Sequence, residues 1–168
     1  MILIVALGLI LILLLSAFFS GSETALMSLD NLRLKRLEQT QPQAARLRKI
    51  VEHPEKVLGT ILTGNVFINT AAGALLTYGV TVFVTSEDQR GKMISISTIL
   101  LTALILVFGE MVPKSVAARY PESWSLFVIR PILVLIKIAR PVVWLLSLIS
   151  NSFLSLSFKI FPDGNFNF

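Results

Sequence analysis

The sequence predicts an all-α integral membrane protein, with three transmembrane helices and further helices lying along the membrane surface. Of the 168 residues, 54% are hydrophobic and only 15% are charged, which is too apolar for an ordinary soluble domain. Apolar stretches long enough to cross a bilayer occur three times, and most charged residues lie in the connections between them. Helices are expected because a backbone surrounded by lipid must satisfy its own hydrogen bonds.

The composition also argues against several classes of function. The net charge of +5 comes from basic residues that lie between apolar stretches without interleaved aromatic residues, so their expected partner is the lipid bilayer and not nucleic acid. No cysteine is present, which excludes disulfides, thiolate metal sites and cysteine nucleophiles. The single histidine, His53, lies in a polar segment and is expected at the surface. One histidine cannot build a histidine metal site or a catalytic triad.

The first predicted transmembrane helix covers residues 1–27. Its first 22 residues carry no charged side chain, against the roughly 20 residues needed to cross a bilayer. Ser16, Ser20 and Glu23 follow one another at i, i+4 and i+7, so a helix places them on one stripe. Serines in membrane helices usually bond to their own backbone or to a neighbouring helix. Their spacing with Glu23 makes this stripe a candidate site.

Residues 28–56 form a charged juxtamembrane segment with seven Lys and Arg against four Asp and Glu. Short connections rich in positive charge stay on the cytoplasmic side, so the N-terminus is expected outside the cell membrane and the C-terminus inside. The amphipathic piece Leu29 to Leu37 is expected to lie along the membrane surface or beneath the helical bundle.

The second predicted transmembrane helix, residues 57–86, is an uncharged run of thirty residues. Its first half is rich in small and polar residues, of which Asn69 is one. Most of these are expected to serve close helix packing. Gly64 and Asn65 are interpreted differently, because an asparagine beside a glycine offers side-chain and backbone oxygens that hard cations accept. Residues 87–92 are predicted to form a short external turn.

The third predicted transmembrane helix, residues 93–118, ends in an unusual arrangement. Seventeen uncharged residues lead into Glu110, and Pro113 follows it. A carboxylate at membrane depth costs a few kcal/mol, roughly 2.5–3.5 for Asp, so it usually faces a protein interior or a wet cavity. Pro113 has no N–H to offer the carbonyl of Gly109. These oxygens indicate a cation site, while an ordinary helix end with Glu110 paired to Lys114 at i, i+4 is an equally weighted alternative.

Residues 119–160 are predicted to form helices in the cytoplasmic-side membrane interface. Arg130, Lys137 and Arg140 fall on one side of a helix, and aromatic residues supply interfacial anchors. The alternative is a fourth transmembrane helix over residues 142–158, whose 17 uncharged residues are barely sufficient to cross.

Three motifs in these segments, read together, resemble the transmembrane domain of the CorC/CNNM family of magnesium transporters, also called DUF21. They are Ser-Ala-Phe-Phe-Ser-Gly from Ser16, Leu-Thr-Gly-Asn-Val from Leu62 and Phe-Gly-Glu-Met-Val-Pro from Phe108. The resemblance covers residues 1–168 as one domain and implies a homodimer that transports Mg2+, with export linked to Na+. It also implies ATP-binding CBS domains in the full-length protein, which this sequence does not contain.

The family pattern places a metal site on residues that polarity alone also selects. It implies Ser16, Ser20, Gly64, Asn65 and Glu110, with Glu23 as a ligand or a charge at the entrance and Gly109 through its carbonyl. All these ligands are oxygen atoms, which suits a small hard cation. Gly21, Gly64 and Pro113 are expected to break the three helices around the site.

Two other functions, a passive membrane anchor and an intramembrane enzyme, are alternatives to transport. A passive membrane anchor and dimerisation module for soluble regulatory domains would scatter its polar residues according to packing needs. An intramembrane enzyme is disfavoured, because no His or Asp accompanies the serines to activate them.

Overall fold

The computed structural model describes residues 1–51 and 54–160, so His53 lies outside the described residues. The all-α prediction is confirmed. The elements are α1 (Ile2–Met27), α2 (Asn31–Thr40), α3 (Ala44–Val51), α4 (Pro54–Phe83), α5 (Glu87–Leu104), a π-helical segment (Ile105–Met111), α6 (Val112–Arg119) and α7 (Pro121–Ile160).

In the described part of the chain, three helical stretches are long and apolar enough to cross a membrane. They are Ile2–Met27, Val57–Phe83 and Glu87–Arg119. The third stretch joins α5, the π segment and α6. These stretches match the three predicted transmembrane helices, and they confirm the prediction of an integral membrane domain.

The helix α1 lies at the centre of the bundle and contacts α4, the π segment, α6 and α7. It runs antiparallel to α4, since Val5 approaches Gly79 and Phe19 approaches Gly64. Gly8 brings the two backbones close, because a Cβ atom there would lie 2.7 Å from the side chain of Leu75. Small residues at such crossings allow membrane helices to pack without a hydrophobic driving force.

Beyond the end of α1, the helices α2 and α3 pack beside one another, and α3 also contacts α7. Asp30 caps α2 by accepting a hydrogen bond from the backbone N–H of Arg33 at 2.7 Å. The guanidinium of Arg48 on α3 forms a bidentate pair with Glu38 on α2, with Nε donating at 2.7 Å. This hydrogen bond is the main reason that the pKa of Glu38 lies below its ordinary value. Buried apolar residues of this region are Leu34, Leu37, Leu47, Ile50, Val128, Ile129 and Ile132.

Helix boundaries differ from the sequence predictions in two places. Residues 87–92, expected as a turn, are the first turns of α5, and the non-helical connection is only residues 84–86. Acidic side chains at Glu87 and Asp88 favour a helix start there, and Arg90 donates a hydrogen bond to the carbonyl of Val84 at 3.1 Å. The segment predicted as several interfacial helices is one helix, α7, with Pro131 and Pro141 inside it.

The expected helix breaks at two glycines are also wrong. The helix α1 continues through Gly21, and α4 continues through Gly64. Both glycines instead admit an aromatic ring, because an added Cβ would lie 2.6 Å from Trp124 at Gly21 and 2.6 Å from Phe19 at Gly64. An irregular stretch does occur in the third crossing, where the π segment precedes Pro113.

Candidate metal centre

The second half of α1 carries several buried hydroxyl groups. Ser16, Ser20 and Ser22 are all buried. Ser22 donates to the carbonyl of Phe18 at 2.6 Å, and Thr24 donates to the carbonyl of Ser20 at 3.3 Å. Such bonds to the preceding turn are the usual way for a hydroxyl in a membrane helix to be satisfied. Ser16 and Ser20 do not follow this pattern.

The hydroxyl of Ser16 faces two amide oxygens of α4. Its Oγ lies 3.1 Å from Oδ1 of Asn69 and 3.4 Å from Oδ1 of Asn65. A serine hydroxyl has one hydrogen and can donate to only one acceptor at a time. Three oxygen atoms therefore converge on one shared proton, an excess of acceptors that would suit a cation.

Asn69 also extends this arrangement to the third crossing. Its Nδ2 donates to Oε1 of Glu110 at 3.5 Å, while its Oδ1 faces Ser16. The amide thus joins α1 to the π segment. We refer to Ser16, Asn65, Asn69 and Glu110 as the oxygen cluster.

Asn69 is not among the site residues predicted from the sequence. The available signal was its spacing, because Asn65 and Asn69 are four residues apart and lie on one face of α4. Like most other polar residues of that helix, it is expected from the sequence to serve close helix packing. Its two contacts show that this face is directed toward the site.

The π segment positions Glu110. In a π-helix each N–H bonds to a carbonyl five residues earlier, as Val112 does to Val107. Such wide turns are rare and often occur at functional sites. Gly109 is buried against α1, and a Cβ atom there would lie 2.9 Å from Oγ of Ser16. Glycine at this position lets the wide turn come close to Ser16.

Ser20 lies one helical turn beyond Ser16 on the same stripe. Its Oγ is buried, and it has no hydrogen-bond partner among the described residues. A buried hydroxyl without a partner carries a desolvation cost that a ligand would relieve. Ser20 therefore remains a candidate ligand, although no hydrogen bond joins it to the oxygen cluster in the described structure.

Glu23 and Gly64 lie beside the cluster. Oε2 of Glu23 forms an ion pair with Nζ of Lys114 at 3.4 Å. Lys114 therefore pairs with a residue of α1. This differs from the alternative drawn from the sequence, in which Lys114 pairs with Glu110 at i, i+4. Gly64 precedes Asn65 and packs on the ring of Phe19.

A cleft of about 250 Å³ borders the oxygen cluster. It is lined by Asn69, Thr102, Ile105, Leu106 and Glu110. The carboxylate and one asparagine thus line a space that can hold an ion with part of its water. The arrangement brings together Ser16, Asn65, Glu110 and Gly109 of the predicted set, adds Asn69, and leaves Ser20, Glu23 and Gly64 adjacent.

Comparison with known proteins identifies the same kind of domain. The family model described as the cyclin M transmembrane N-terminal domain (CNNM) matches residues 7–163. A UPF0053 protein of Haemophilus influenzae is 39% identical over 149 residues, covering 88% of this chain and 34% of that protein. The UPF0053 inner membrane protein YfjD of Escherichia coli is 37% identical over 140 residues, covering 81% and 31%.

A plant relative extends the similarity further. The chloroplastic DUF21 domain-containing protein At1g55930 of Arabidopsis thaliana is 35% identical over 137 residues, covering 80% of this chain and 20% of that protein. The chain spans about a third or less of the length of these curated relatives. The family model covers nearly the whole chain, and the motifs recognised in the sequence lie within it. This chain belongs to the CNNM (DUF21) transmembrane domain family.

Proposed function

We propose that this domain transports Mg2+ across the membrane and that the oxygen cluster holds the ion during transport. The observation that supports this most is the convergence of Ser16, Asn69 and Glu110 from three different membrane-crossing stretches. Polar groups scattered by packing needs alone would not form a connected set at one depth. Transporter sites are typically built where segments of several crossing helices meet.

The chemistry of the cluster suits a small hard cation. Mg2+ prefers oxygen ligands and about six of them, and it gives up its water reluctantly. The cluster offers a hydroxyl, two amide oxygens and one carboxylate, and Ser20 and the carbonyl of Gly109 are the nearest additional donors. A single carboxylate offsets only part of the ion's charge, so the ion is held weakly enough to leave.

We further propose that transport is export linked to Na+, performed by a homodimer. The basic segment between α1 and α4 supports an N-terminus outside and a cytoplasmic α7. Cysteines introduced at Gln39 and Gln89 test this topology in whole cells. An impermeant thiol reagent should label position 89 and spare position 39, and the opposite result would invert the orientation.

The site is tested by Glu110→Gln in purified protein reconstituted into liposomes. The substitution preserves volume and hydrogen bonding but removes the only charge of the cluster. We expect Mg2+ flux to fall by at least about a hundredfold, because the dehydration cost of the ion is no longer offset. Glu122→Gln, at an exposed position in the first turn of α7, is the matched control and should transport as the original protein does.

Thermal unfolding in detergent should show that Glu110→Gln is folded. Parallel flux measurements with and without a Na+ gradient test the coupling ion. Full Mg2+ transport by Glu110→Gln would contradict the site. Absence of Mg2+ flux in the original protein, with or without Na+, would instead favour the passive anchor.

A further inference from the structure

The ion pair between Glu23 and Lys114 lies next to the oxygen cluster. Glu23 follows Ser20 by three residues on the buried stripe of α1, and Lys114 follows Glu110 by four residues. Glu23 is seven residues from Ser16, about two helical turns beyond the cluster, and Lys114 is about one turn beyond Glu110, both in the direction of the basic connections. With Nζ and Oε2 3.4 Å apart, the pair connects α1 to α6 where an ion would approach from that side.

The exposure of this pair argues against a purely structural role. The side chain of Glu23 is 27% exposed and that of Lys114 is 45% exposed, so neither charge is enclosed by the protein. Ion pairs of this exposure change a folding equilibrium by at most about fivefold. The pair is thus a weak connection between helices and can open readily.

The two charges act oppositely on an approaching cation. The carboxylate of Glu23 attracts it, while the ammonium group of Lys114 occupies that carboxylate. A monovalent cation carries the same charge as the ammonium group and gains no Coulombic advantage by replacing it. A divalent cation carries twice that charge and has roughly twice the attraction at equal distance.

We propose that Lys114 is a tethered competitor for the carboxylate of Glu23 and thereby favours entry of divalent over monovalent cations. The lysine covers the carboxylate until a divalent cation displaces it. The divalent cation then moves along α1 past Ser20 to the oxygen cluster. This inference rests on the proposed function, because it assigns an entry selection step to the same site.

The experiment measures Mg2+ flux in liposomes against Mg2+ concentration, with and without competing K+ at constant ionic strength. Lys114→Gln should lower the half-saturating Mg2+ concentration by about two- to fivefold, the range available from an exposed ion pair. It should also make the flux more sensitive to K+. Lys114→Arg keeps the tethered charge and should stay close to the original protein.

The double variant Glu23→Gln with Lys114→Gln isolates the competition. With Gln at position 23 there is no carboxylate to compete for, so replacing Lys114 should no longer change the half-saturating concentration. Arg119→Gln removes a positive charge from the same helix, away from Glu23, and should leave the Mg2+ dependence unchanged.

Two results would overturn the proposal. If Lys114→Gln acts equally with Glu or Gln at position 23, the lysine exerts only a general repulsion. If Glu23→Gln and Lys114→Gln, each made alone, lower the melting temperature and leave the Mg2+ and K+ dependence unchanged, the pair is a structural brace. Glu110→Gln is measured in parallel, so that the proposed metal site and the proposed competition can be judged separately. If Glu110→Gln loses Mg2+ flux while Lys114→Gln has the Mg2+ and K+ dependence of the original protein, only the role of Lys114 as a competitor is rejected.

Discussion

The two halves of α1 differ sharply in what they bury. In the first half apolar side chains point outward, and Leu7 is 56% exposed. In the second half the buried side chains include three serines, and Ser16 is fully buried. A soluble protein would show the opposite arrangement, because apolar burial drives its folding. In lipid, apolar surface outside costs nothing, so the outward-facing positions of the first half need only to be apolar.

The second half of α1 has to meet stricter requirements. Its buried positions contact α4, the π segment, α6 and α7, and its hydroxyls need defined partners. Close packing and polar contacts hold membrane helices together where no hydrophobic force acts between them. The comparison teaches that the constraints of shape and hydrogen bonding concentrate at one end of the bundle, which is also the end that carries the candidate site.

The largest stability difference is expected between two leucine-to-alanine substitutions, one in each half of α1. Leu26, which is 6% exposed, belongs to the buried apolar cluster, so Leu26→Ala should cost about 2–5 kcal/mol. Leu7→Ala leaves no internal cavity and should change stability by less than about 0.5 kcal/mol. Chemical unfolding in detergent measures both. Equal losses of stability would show that the two halves of α1 are packed alike and would contradict the difference described above.

A second pair of substitutions tests close packing in α4. Gly64→Ala places a Cβ 2.6 Å from the ring of Phe19, whereas at Gly73 no atom from elsewhere in the described residues lies within 4 Å of the Cβ position, apart from the helix's own nearby backbone. Gly64→Ala should cost about 1–3 kcal/mol through overpacking. Gly73→Ala should be neutral or stabilise by up to about 1 kcal/mol through helix propensity. Unfolding midpoints of the two variants decide the point, and a neutral Gly64→Ala would mean that Phe19 moves aside freely.

The smallest effect on stability is expected from Glu38, which lies on α2, outside both halves of α1, and in contact with water. Its pKa is held below the ordinary value of 4.5 by the hydrogen bond from Arg48. The pair therefore stabilises the fold fully above that value, and its contribution is lost as the pH falls through the lower, folded-state pKa. The melting temperature should drop on acidification more for the original protein than for Glu38→Gln. Parallel profiles would show that the pair does not contribute.

The three crossings could be predicted from the sequence because uncharged stretches of sufficient length suffice to identify them in a chain this apolar. Ser16, Asn65 and Glu110 could be predicted because polar residues are conspicuous in such stretches. Asn69 could not be distinguished from the other polar residues of α4, since its role depends on which face of that helix meets Ser16. Gly21 packs against Trp124, about a hundred residues away, and no local sequence pattern predicts that contact.

The π segment makes the number of residues in the third crossing as important as their identity. A wide turn accommodates a surplus residue relative to a regular α-helix. Deleting one residue between Ile105 and Phe108 would let the helix return to its regular form, and the residues beyond would keep their orientation because the wide turn already absorbs the surplus residue. The wide turn that brings Gly109 against Ser16 would be lost, with the composition of the segment almost unchanged. Conservative replacements should be tolerated along this stretch, whereas a single deletion should not.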